Sequence, residues 1–163
     1  NDFLVPEVSR AKTAGEFVVV VSHHPSTDFD RPYPRPTVGT SLFRQYLAFQ
    51  PHVLAHFCGH THAHKVTVVP GKYPYPEIET ASLIDLPQEM RIVEILYNTT
   101  DRSAALALRP LHVQDELSPL GAEFVRRAER DSAATGLIYT EPIGDRVFYV
   151  VLSRPDFAPA GSR

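Results

Sequence analysis

Two short stretches hold the residues best suited to chemistry: Ser22-His23-His24-Pro25 and Gly59-His60-Thr61-His62. Each follows directly on an apolar run, Phe17 to Val21 in the first case and Val53 to Phe57 in the second. Strand ends in layered α/β folds are where side chains converge on a ligand. Imidazole is a good ligand for Zn, Fe, Mn and Ni and binds at neutral pH without an unusual pKa. Two histidines at i and i+2 of an irregular turn can aim at points about 3.5–4 Å apart, the spacing of paired catalytic metal ions. Gly59, just before such a pair, is expected to let the backbone turn tightly and approach a ligand. A lone loop histidine is commonly a surface residue, and His52, His56 and His112 are read that way. His64 is read as a surface residue or as a support for the cluster. Cys58 belongs to an apolar run and is read as core rather than as a soft ligand.

The elements that must position these histidines follow from periodicity. Residues 2–14 read as an amphipathic helix with Leu4, Val8 and Ala11 on one face, Asp2 available as a cap, Pro6 in the first turn and Gly15 as the stop. The β-branched run 17–21 predicts a strand buried on both faces. Residues 26–37 read as a loop, because Pro32, Pro34 and Pro36 permit neither helix nor central strand. A helix over 40–50 places Leu42, Phe43, Tyr46 and Leu47 on one face, and the second apolar run forms a strand over 53–57. Further strands are predicted over 66–69, 77–83, 90–97 and 104–112, with 98–101 as a hairpin connection. Ser118 and Pro119 open a helix over 119–134 with Leu120, Phe124, Val125 and Ala128 as its stripe, and 147–152 forms a last strand. This succession makes residues 1–163 one domain of the α/β (α+β) class.

Composition narrows the function. The 163 residues carry a formal net charge of −3 with no cluster of Lys or Arg, so no nucleic-acid surface is predicted. An acidic chain can still handle phosphate where metal ions supply the positive charge. No apolar stretch is long enough to span a membrane, and a single cysteine excludes an internal disulfide. The compartment is left open.

Val-Val-Val-Val-Ser-His-His-Pro followed by Phe-Cys-Gly-His-Thr-His resembles the last two motifs of the calcineurin-like metallophosphoesterases, a strand-end histidine and a Gly-His-x-His turn. The resemblance covers roughly residues 2–97, including Ile78 to Asp85 with Gln88 and Arg91 to Glu94. It implies half of a four-layer α/β/β/α sandwich and hydrolysis of a phosphate mono- or diester at a dinuclear centre of two divalent ions, Mn, Fe or Zn. Carried over position by position, His23 and His60 would share one metal and His62 would hold the other, with His24 the alternative to His23. The family's Asp-x-His and Gly-Asn-His triplets occur nowhere in the sequence. The bridging carboxylate, the Asn and the acid histidine would therefore come from an upstream N-terminal half of the domain, and no catalytic residue is assigned within this chain. The absence of an initiating Met, with the sequence opening inside a helix, fits that expectation.

Besides a small phosphate-ester substrate, that N-terminal half is the expected partner. Arg31 and Arg35, in the proline-rich loop, and His24 are candidates for contacting a substrate phosphate, although loop arginines are more often solvated. Asp28 and Asp30 in the same loop are weaker candidates still, as replacement carboxylate ligands. The alternative reading is a non-catalytic metal-binding or interaction module with a structural or degenerate histidine site. Structural zinc sites, however, are usually rich in cysteine.

Overall fold

In the computed structural model the described residues are 3–30, 39–84, 88–112, 123, 126, 127, 130, 148–157 and 159. Helix α1, Leu4–Ala14, ends at Gly15, whose φ of 70° is the left-handed conformation glycine adopts without steric cost. Strand β1, Val18–Val21, is followed by a single 3-10 turn, Ser26–Asp28, and by helix α2, Thr40–Ala48. Strands β2, Val53–Cys58, β3, Lys65–Val69, and β4, Tyr75–Glu79, complete a first sheet in the order β1-β2-β4-β3. Within it β1, β2 and β4 run parallel and β3 antiparallel to β4. Strands β5, Glu89–Asn98, β6, Ser103–His112, and β7, Phe148–Ser153, form a second, antiparallel sheet. Two helices and two sheets make this an α+β fold, as expected. No helix among the described residues is long and apolar enough to cross a membrane.

Two cores stack these parts into three layers. Val8 of α1 with Phe43, Leu47 and Ala48 of α2 packs against Val53, Val69 and Tyr75 on one face of the first sheet. On the opposite face Leu54, Ala55 and Ile78 meet Ala104, Leu106, Leu108 and Leu152 of the second sheet. Val8 and Ala11 confirm the stripe read for α1, but Leu42 points away from the core assigned to α2 and is 64% exposed. Strand β4 ends at Glu79, short of the 77–83 expected.

The prediction that β1 is buried on both faces fails. Val18 and Val20 pack on the helical core, whereas Val21 is 75% exposed. The strand lies at the edge of its sheet, and the second sheet packs against β2 and β4 rather than beyond them. A β-branched run therefore signalled strand but not the number of covered faces. Of the helix expected over 119–134, Glu123, Arg126, Arg127 and Arg130 are helical, and Glu123 accepts hydrogen bonds from Arg126 and Arg127. Its apolar stripe, Leu120, Phe124, Val125 and Ala128, lies outside the described residues, as do Asp2, Ser118 and Pro119.

Candidate metal centre

Because β1 and β2 are parallel neighbours, their carboxyl ends emerge on the same sheet edge, and the two histidine turns meet there. Ser22 N–H donates to Phe57 O and Gly59 N–H donates to His23 O, 3.0 Å each, so the turns are joined through backbone. Above that junction His23 Nε2 and His60 Nδ1 stand 3.3 Å apart. Metal–nitrogen bonds of about 2.0–2.1 Å in a tetrahedral shell put neighbouring donors about 3.3–3.4 Å apart, so these two nitrogens already have the separation that a shared ion requires. His24 is the third member of the group: one ring nitrogen from each of His23, His24 and His60 lies within 4.8 Å of the others. His23 and His60 are exposed and His24 half-buried, an arrangement open to an incoming ion. Three imidazoles without cysteine are a donor set of the kind that suits Zn, Cu, Fe or Ni.

The group of three nitrogens is not the ligand set that the resemblance implies. His24, treated as an alternative to His23, sits beside it, the rings 4.9 Å apart in an edge-to-face arrangement. His62, half-buried on the β2 turn, does not join the three-nitrogen group. Arg31 and Arg35 lie outside the described residues. Asp28, weighed and set aside as a loop acid, proves close to the centre: its Oδ2 is 3.4 Å from His24 Nδ1 and 3.8 Å from His60 Nε2. Metal-bound histidines commonly direct their second ring nitrogen to a carboxylate, and Asp28 faces the ring edge of His60 opposite the Nδ1 that faces His23. Asp30 instead accepts from Thr40 N–H at 2.9 Å, at the start of α2.

Backbone conformation also marks this turn. His60 and His62 have φ of 71° and 58°, the left-handed region that costs a non-glycine residue about 1–3 kcal/mol and recurs at functional sites. Gly59 does not have that conformation, and a Cβ there would meet only His23 O at 3.9 Å and Thr80 O at 4.0 Å. The expectation that Gly59 supplies the tight turn is therefore corrected: the unusual backbone falls on the histidines themselves.

Three histidines read as surface or uncertain are interior residues. His52 is fully buried and donates from Nε2 to Val8 O at 2.7 Å, tying α1 to the start of β2. Burial lowers its pKa, favouring the neutral ring. His64 is buried under the β2 turn and lies 2.9 Å from Glu89 Oε2. Arg91 Nη2 donates to its Nδ1 at 2.7 Å, so Nε2 carries the proton that Glu89 accepts. Thr61, between the two turn histidines, donates to buried Glu79 at 2.9 Å.

His56 is fully buried beneath the β1 turn. Its Nε2 is 2.7 Å from Ser22 Oγ and its Nδ1 2.8 Å from Glu77 Oε2. Arg44 Nη2 donates to Glu77 Oε1 at 2.8 Å and Ser26 N–H to Oε2 at 3.2 Å. Burial alone would raise the Glu77 carboxyl pKa; the hydrogen bonds from His56, Ser26 and Arg44 outweigh it and hold the group down at about 2. Cys58 is core, as read, its thiol pushed up to about 12 by burial and by the charges of Glu77 and Glu79.

No family model matches this chain, and no curated protein matches it either. The resemblance to the metallophosphoesterases therefore rests on the sequence of the two turns alone.

Proposed function

We propose that this chain supplies the histidine side of a two-metal centre that hydrolyses a phosphate mono- or diester, in the manner of the calcineurin-like metallophosphoesterases. One observation carries the reading: parallel strands β1 and β2 both end in histidine turns that set His23 Nε2 and His60 Nδ1 3.3 Å apart. His23 and His60 would hold one divalent ion, Mn, Fe or Zn, with His24 adjacent, and His62 would hold the second. When bound, such ions polarise phosphoryl oxygens and lower the pKa of a coordinated water. The protein's part is to present imidazoles in a fixed array, with the Asp28 carboxylate close to His24 and His60. The carboxylate and amide ligands that the family adds would come from an N-terminal half of the same domain, which makes the enzyme assignment a statement about the completed site.

A second reading has its own observation. His23, His24 and His60 form a compact group without His62, which suits a single ion in a non-catalytic metal-binding module. Stoichiometry separates the two. Elemental analysis of the purified chain, wild type beside a His60→Ala/His62→Ala double variant, is run in parallel with hydrolysis of bis(p-nitrophenyl) phosphate. Two ions per chain and turnover, both lost in the double variant, support the phosphoesterase. One ion retained when only His62 is replaced, with no turnover even when the N-terminal half is supplied, supports the module. A metal-free wild type under saturating Mn, Fe and Zn excludes the module, and a metal-free wild type with the N-terminal half supplied excludes the phosphoesterase.

A further inference from the structure

Ser22, His56 and Glu77 contain the residue types of a hydrolytic Ser-His-acid triad at triad distances, 2.7 and 2.8 Å. The direction of the protons shows whether they can act as one. A serine hydroxyl has one hydrogen, and Ser22 Oγ is also 2.7 Å from His24 O, a carbonyl that can only accept. The hydroxyl hydrogen is thus committed to His24, and His56 Nε2 must donate to Ser22 rather than accept from it. At the other ring edge Glu77 is held as a carboxylate by Arg44 and by Ser26 N–H, so His56 Nδ1 donates there as well. Protons then run in one direction, from the buried ring to Ser22 and from Ser22 to the His24 carbonyl, whereas a nucleophilic triad needs an unprotonated Nε2.

From this geometry we propose that Arg44, Glu77, His56 and Ser22 form a buried positioning relay whose end point is the His24 carbonyl, fixing the turn that presents His23 and His24, with Ser22 a link and not a nucleophile. The relay draws on four places in the chain: α2 for Arg44, β4 for Glu77, β2 for His56 and the end of β1 for Ser22. His56 and Glu77 are essentially inaccessible, and the Phe43 and Phe29 rings pack against the imidazole at centroid distances of 5.0 and 6.3 Å. Buried polar networks specify a single arrangement when every member is satisfied, and supports behind metal-binding histidines commonly set affinity by about 10–100-fold when removed. Through its effect on ligands the relay rests on the metal reading given above. Its hydrogen-bond direction does not.

The test uses the full chain with cobalt(II) as the probe. Cobalt is titrated into wild type, Ser22→Ala and Ser22→Thr, following its visible absorption, and thermal melts report folding. The expected result is about tenfold weaker cobalt binding in Ser22→Ala, near-wild-type binding in Ser22→Thr, and similar melts for all three. Equal cobalt affinity in wild type and Ser22→Ala overturns the relay. Nitrogen-15 spectra of the His56 ring, recorded without metal, should show both ring nitrogens protonated. An unprotonated Nε2, or covalent labelling of Ser22 by a fluorophosphonate, overturns it in favour of an activated serine. Should wild type bind no cobalt, the metal reading fails and the relay is decided by the ring spectrum and the labelling alone.

Discussion

The turn after β1 and the turn after β2 stand side by side, joined through Gly59 N–H and His23 O, yet they are held in different ways. Beneath the β1 turn lies a charged chain within the α/β layer, Arg44–Glu77–His56, reaching Ser22. The β2 turn is fastened instead to the second sheet, through His64 to Glu89 and Arg91, and to Glu79 through Thr61. The backbones differ as well: His60 and His62 occupy left-handed conformations, while His23 and His24 do not. One turn is held from below by ionic contacts with relaxed backbone. The other carries strain and is gripped from the side by a neutral histidine. A centre assembled from two independently fastened turns can lose one donor set and keep the other, which the following substitutions exploit.

The largest effect is expected at Glu77. Glu77→Ala leaves Arg44 and His56 without their shared carboxylate and should cost about 3–5 kcal/mol of stability, read from urea unfolding at neutral pH. Because the folded carboxyl is held at about 2, below the ordinary value of 4.5, the associated stability is present in full above the unfolded value. It is lost as pH falls from about 4.5 toward 2, and it amounts to about 3 kcal/mol. Glu77→Gln should flatten that acid limb. An unchanged acid limb in Glu77→Gln would mean the network does not stabilise the β1 side.

Next in size is the anchor of the β2 turn. Glu89→Ala removes the acceptor of the His64 Nε2–H and should cost about 2 kcal/mol, as for a hydrogen bond to a charged group. It should shift the ring signals of His60 and His62 in histidine NMR spectra while leaving those of His23 in place. Equal disturbance of all three would show the two turns to be one unit.

The smallest effect concerns backbone alone. His62→Gly should be stability-neutral or stabilising by up to about 1 kcal/mol, since glycine adopts positive φ freely. His24→Gly should cost about 0.5–1 kcal/mol through the greater freedom of the unfolded chain. The His24→Gly melt should therefore fall below wild type while the His62→Gly melt stays level or rises, and equal losses in both would remove the contrast in strain.

Much of this could be read from residue order. Apolar runs ending in histidines located both turns, and α1, α2 and the described strands lie close to where periodicity put them, because α1 and α2 each carry one buried stripe. The site's supports were less legible. His56 and Glu77 look like ordinary polar residues of short strands until β2 and β4 pair and bring His56 opposite Glu77. Asp28 is one loop acid among several until the 3-10 turn, Ser26–Asp28, carries it back toward His24. Such partnerships depend on contacts distant in sequence, which spacing does not encode. The misreading of β1 has a different origin: four valines fit an edge strand as well as a central one, and only the extent of the second sheet decides how many of them are covered. A signal was nonetheless present in β4, where Glu77 and Glu79 interrupt an apolar strand, and two acids at alternate strand positions need partners if the strand is buried.

Cys58 offers a further use of the core beneath both turns. It is the chain's single thiol, it is buried, and its acidity is suppressed to about 12, so almost none of it is in the thiolate form that alkylating reagents attack. In the native molecule it should be silent to iodoacetamide and become reactive only when β2 separates from β4. Each alkylated molecule would then record one opening of the sheet on which the histidine turns are mounted, giving this protein a stopwatch that needs no added label.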